Sequence, residues 1–202
     1  YGFIILAIVL FSALVAPEVL VSDRRNGLLA MYLSTPLDRR TYLMAKAVAV
    51  VANHGLVTLG PPVLLLIGYT VESAGPDGVD GWLWTLVRIV ASGVAISAAL
   101  AAVSMAASSL TDRRAFAAIG IVLLVLAAPI LTAALVEGAE LSASFRLLDI
   151  SSMPFELVFR IFDPPGNFPE LSTWSVLVSN VAWTLGGVAV VWWRYSKLVI
   201  AR

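Results

Sequence analysis

Cysteine is absent from the 202 residues. Disulfides, thiol catalysis and thiolate metal sites are excluded with it. Histidine occurs once, at His54. Neither H-E-x-x-H nor a paired-histidine metal site can be built, and no metal ligand set is predicted. No G-x-x-x-x-G-K-[ST] occurs, so the chain carries no phosphate-cradling loop. Serines are many, but none is marked as a nucleophile, which disfavours an intramembrane enzyme. Charge is also scarce, at 13% of residues against about 25% in soluble domains. Thirteen basic and thirteen acidic residues cancel, leaving no global charge to attract nucleic acid.

What is present is apolar. Hydrophobic residues make up 60% of the chain, and mean hydropathy is +0.94. A soluble core of this size could not hide so much apolar surface, so the chain belongs in a bilayer. A helix needs about 20 apolar residues to cross the hydrocarbon. Five stretches qualify: residues 1–21, 42–71, 82–110, 115–136 and 174–193. The prediction is an all-α integral membrane protein with one transmembrane domain over residues 1–202. The chain starts at Tyr1 inside an apolar run, with no basic segment before it. That is unlike a signal peptide and reads as a piece of a longer protein.

Lys and Arg select the cytoplasmic side. Arg24, Arg25, Arg39, Arg40, Lys46, Arg113, Arg114, Arg194, Lys197 and Arg202 fall on one side, and only Arg88, Arg146 and Arg160 on the other. Val21–Arg40, Thr111–Arg114 and the C-terminus are therefore assigned to the cytoplasm of a multi-pass plasma-membrane protein. Tyr1 then emerges outside, which predicts one further span upstream. The opposite side carries Glu72, Asp77, Asp80, Glu137 and Glu140, read as solvated loop charge or as a cation-capturing face.

Within the spans, Gly93, Ser97 and Ala101 recur every four residues and share one helix face. Small residues on one face let helix backbones approach closely, so these three predict a packing seam, within the subunit or between two copies. His54 lies inside the second span. It reads as a hydrogen-bonded neutral imidazole or as part of a proton path, but no second deep titratable group accompanies it. Pro61, Pro62 and Pro129 predict kinks. Trp82, Trp84, Trp192 and Trp193 sit at span ends, as an interfacial belt does.

The long external segment contains SSMPFELVFRIFDPPGN. Ser152 is a candidate cap and Pro154 suits a first turn. Glu156 and Arg160 form an i,i+4 pair in the favourable order. A helix over residues 153–163 is too short to span. It is predicted to be re-entrant or interfacial.

The link VSDRRNGLLAMYLSTPLDRR, residues 21–40, is longer than a simple turn requires. Asp23-Arg24-Arg25 and Asp38-Arg39-Arg40 bracket an apolar run closed by Ser34-Thr35-Pro36. A short amphipathic helix over residues 23–34 is predicted there, suited to a membrane surface or to a groove on a soluble partner.

These residues resemble the membrane subunits of ABC transporters of the ABC-2 type. The similarity rests on Glu18 near a span end, Arg24–Arg25, Gly27, the Leu28–Leu33 run, Ser34-Thr35-Pro36, Arg39–Arg40 and Lys46. The chain departs from the family pattern where Asp23 or Asn26 stands in place of Glu. The layout resembles spans two to six of a six-span fold with a cytoplasmic coupling helix. The resemblance implies that Glu18, Asp23, Arg24, Arg25, Asn26, Gly27, Leu28 and Tyr32 contact an ATP-binding subunit. It implies that two permeases, identical or homologous, pair with two ATPases in the lipid bilayer. It also implies that ATP and Mg2+ sit on the partner, with no cofactor on this chain, and that the complex is an exporter working by alternating access. An apolar lining would suit a drug, lipid or other amphipathic substrate. The readings from other classes are a non-transporting anchor or assembly subunit and an ion-coupled carrier or channel. A carrier would show inverted repeats with broken helices, and none stands out.

Overall fold

A computed structural model describes residues 2–28, 31 and 38–197, with the side chains of residues 2–6 outside that description. Among the described residues the chain is helical throughout. The α-helices are α1 (Gly2–Arg25), α2 (Arg39–Val71), α3 (Gly78–Ser109), α4 (Arg114–Ala133), α5 (Met153–Phe162) and α6 (Thr173–Ser196). Four segments are long and apolar enough to cross a membrane: α2, α3, α4 with its extension to Gly138, and α6. The fifth long helix, α1, has 24 residues and rises about 36 Å at 1.5 Å per residue.

The central element is α3. It touches α1, α2, α4, α5 and α6. Of its most apolar 18-residue stretch 56% is buried, against 22–28% in the other three spans. Its sequence explains this. Ser92, Gly93, Ser97, Ala99, Ala101, Ala102, Ser104 and Ser108 are all buried, and side chains this small admit neighbours from every direction. The other helices turn large residues outward instead. Leu56, Leu64, Ile130, Leu131 and Leu185 are each more than 60% exposed. An apolar exterior this wide marks a surface solvated by lipid.

Local chemistry sets the ends. The carboxylate of Asp38 caps α2 by accepting the Thr41 N–H at 2.8 Å, and that bond holds its carboxyl below the usual range. Ser172 caps α6 in the same way through Ser175 N–H. The helix continues through Pro61 and Pro62 in α2 and through Pro129 in α4. Beyond Ala133, α4 widens into a π-turn, Ala134–Gly138, and a 3₁₀ turn follows at Ala143–Leu148.

The external helix α5 starts differently from its expected form. Ser152 stands at the cap position but makes no side-chain cap bond. The carboxylate of Asp149 accepts instead, from Ser151 N–H at 3.0 Å and Ser152 N–H at 3.1 Å. A carboxylate accepts several donors at once where one hydroxyl cannot. The apolar face of α5 enters the bundle, with Phe155 and Val158 against Ile96 and Leu100 of α3 and Met153 and Leu157 against Val176 of α6. Glu156 is fully buried. It accepts from Arg160 at 3.0 Å and from Asn167 N–H at 2.8 Å. Arg160 also donates to the Phe168 and Leu171 carbonyls. The pair therefore fastens the returning chain to α5 and is more than a helix-surface contact.

Candidate functional site

Ten of the thirteen basic residues were placed at one end by sequence, and the last turns of α1 organise that end. Asp23 is buried. Its Oδ2 lies 2.6 Å from Lys46 Nζ and accepts from the Tyr42 hydroxyl at 2.9 Å, which ties α1 to α2. Lys46 reaches it along the Tyr42 ring, 5.6 Å from the centroid.

Arg24 ties α1 to α3. Its Nη1 donates to Ser109 O at 2.6 Å, and its Nη2 to Ser108 O at 2.6 Å and Thr111 O at 2.5 Å. The last carbonyls of a helix have no intrahelical donor and carry partial negative charge. A guanidinium fork supplies several donors from one side chain, so one arginine binds the last two carbonyls of α3 and the Thr111 carbonyl just beyond it. Asp112 lies 3.5 Å from Arg24 Nε, and the Tyr195 ring of α6 stacks 5.6 Å away. Arg194 of α6 donates to Ser109 O as well.

Glu18 and Arg39 complete the clamp. Glu18 Oε2 meets Arg114 Nη1 at 2.5 Å, joining α1 to the start of α4. Arg39 donates to Ser196 O at 3.0 Å and Tyr195 O at 3.4 Å, joining the start of α2 to the end of α6. All five long helices are thus linked at one level through residues that flank the charged link.

The residues singled out from the sequence divide into two groups. Glu18, Asp23 and Arg24 bond to the bundle. Arg25, Asn26 and Gly27 are exposed, and Leu28 is half-buried. Gly27 adopts φ +70°, a left-handed conformation open to glycine at little cost. With Gly27 N–H on Arg24 O, it ends α1 and turns the chain into the link. Of the link helix expected over residues 23–34, residues 23–25 are instead the end of α1, and residues 29, 30 and 32–34, Tyr32 among them, lie outside the described residues.

Gly93, Ser97 and Ala101 are buried inside the subunit. Thr58 of α2 donates to Gly93 O at 3.1 Å and pairs with Ser97 Oγ at 2.8 Å. A Cβ on Gly93 would collide with Leu59. His54 joins α2 to α1: Nδ1 lies 2.8 Å from Val50 O and Nε2 2.7 Å from Ser12 Oγ. A carbonyl only accepts, so Nδ1 carries the proton; the Ser12 hydroxyl also lies 2.8 Å from Ile8 O and has one proton for the two acceptors. Among the described residues no cluster of three His, Asp or Glu could hold a metal ion.

One close approach has no counterpart in the sequence reading. A Cβ on Gly187 of α6 would lie 2.7 Å from the backbone carbon and oxygen of Ala102 in α3. The Gly186-Gly187 pair was its available signal.

The two ends differ in charge. All three basic residues away from the clamp are neutralised: Arg88 by Asp163, Arg146 by Glu137 and Arg160 by Glu156. At the clamp end Arg25, Arg40 and Arg113 make no salt bridge among the described residues. Compared with known families, residues 2–198 match the model described as ABC-2 family transporter protein. No curated protein and no solved structure matches the chain.

Proposed function

Because this chain belongs to the ABC-2 family of transporter proteins, and so is a multi-pass permease component of an ABC transporter with an ATP-binding partner, we propose that it drives export through the clamp at the end of α1. The clamp end is cytoplasmic in this reading. Ten of the thirteen basic residues fall at this end by sequence, and an excess of Lys and Arg supports that orientation. The partner subunit holds ATP and Mg2+ and performs the hydrolysis, and this chain contributes motion. Arg25, Asn26, Gly27 and Leu28 begin the surface on which the ATPase closes. Two permeases face each other in the complex, and an amphipathic substrate passes between them.

The observation that carries the reading is the bonding of Asp23 and Arg24. A force on the link enters α1 at Arg25. It cannot bend α1 alone, because Asp23 holds α2 and Arg24 holds the end of α3. Glu18 passes it to α4, and Arg39 couples α2 to α6. Displacement of the link is then shared by the whole bundle, as rocking between inward- and outward-open states requires.

Co-purification with the cognate ATP-binding subunit tests this. Arg25→Glu is expected to weaken the complex at least about tenfold, since a reversed charge at an interface repels its former partner. Arg113→Glu, in the neighbouring loop of the same end, is expected to retain the complex. Full association and unchanged stimulated ATP hydrolysis in Arg25→Glu would remove the link from the contact.

A further inference from the structure

An apolar groove of about 220 Å³ lies between α2 and α6 at the clamp end. Met44 and Ala47 form one wall, Val188 and Trp192 the other, and Met105 of α3 the floor. It opens on the outer face of the bundle, where Met44 is 67% and Trp192 47% exposed. Arg40 stands at its edge.

Three features specify an occupant. The volume is below the roughly 300–1,000 Å³ of pockets that enclose drug-sized molecules, and a slender, flexible chain lying along the groove suits it. Methionine walls are unbranched and adapt to such a chain. Arg40 is exposed and makes no salt bridge among the described residues. The nearest carboxylate along the chain, Asp38, accepts from Thr41 N–H and acts on Arg40 at longer range without forming a salt bridge. A guanidinium at the edge of an apolar slot, beside an interfacial tryptophan, complements a phosphate joined to a hydrocarbon tail.

We propose that this groove binds one acyl chain of an anionic phospholipid, with Arg40 holding its phosphate. The lipid would bridge α2 and α6, the two helices whose ends Arg39 already joins. The site needs only the bilayer and no ATPase, so it stands or falls separately from the coupling role.

Bromine on an acyl chain quenches tryptophan on contact. The full chain is reconstituted in phosphatidylcholine vesicles containing phosphatidylglycerol, with one or the other lipid brominated. The difference between the unaltered protein and Trp192→Phe isolates the signal of Trp192. Brominated phosphatidylglycerol is expected to quench it about fivefold more effectively per molecule, the factor that one arginine near an anionic lipid supplies. Arg40→Gln is expected to abolish this preference with the unfolding midpoint unchanged, because Arg40 is exposed. Arg113→Gln is expected to keep the preference, and Ala47→Phe to reduce quenching by both lipids. Equal quenching by the two lipids in the unaltered protein, or a preference that survives Arg40→Gln, would overturn the site.

Discussion

Asp23 shows how little of a side chain's partner can be read from its neighbours in sequence. Its charge and its place at a span end were legible, and so was Lys46 one or two turns into the next span. That the two meet was not, because only the packing of α1 on α2 decides which face of the last turn looks inward. The pair is largely hidden, with side chains 10% and 22% exposed. Removing one member of such a pair takes from the other its compensating charge at 2.6 Å. Asp23→Ala is expected to cost about 3 kcal/mol, the lower end for broken buried pairs, read from unfolding of the purified protein in detergent. Lys46→Met added to it is expected to recover about half, a coupling that a double-mutant cycle resolves. Strictly additive losses would mean that Asp23 and Lys46 do not interact. Ser152 was misread for a related reason. Ser152 holds the cap position without a cap bond, and the Asp149 carboxylate closes the turn just before the helix, which only the turn geometry decides.

At the level of elements, the spacing of Gly93, Ser97 and Ala101 identified a face of small residues, and the structure places that face against α2. The approach of backbone to backbone, α6 on α3 at Gly187, has no such periodic signal. Two adjacent glycines separate packing from propensity there. Gly187→Ala would press a methyl against the Ala102 backbone, which cannot swing aside as a side-chain tip can. A cost of about 1–3 kcal/mol is expected, the usual scale of overpacking. Gly186→Ala meets nothing within 4 Å. It is expected to be neutral or to stabilise by up to about 1 kcal/mol through helix propensity. Equal midpoints for the two variants would contradict the packing of α3 on α6.

For the whole molecule, the all-α membrane class was legible from composition alone, since apolar content and run length leave few alternatives. Which helix takes the centre was not legible. It follows from how many neighbours small residues admit, and α3 is recognisable as central only once its Ala and Ser positions are seen buried on several sides. The charged link reads from sequence as a candidate partner surface, but its first residues serve the bundle: Asp23 and Arg24 face inward, and the exposed surface begins at Arg25. The central claim is that this surface meets the ATP-binding subunit. The chain has no cysteine, so one introduced thiol reports one position. Arg25→Cys in the intact complex is expected to cross-link to the ATP-binding subunit, while Glu72→Cys at the opposite end is not. Cross-linking from Glu72→Cys with none from Arg25→Cys would place the partner at the wrong end and contradict the account.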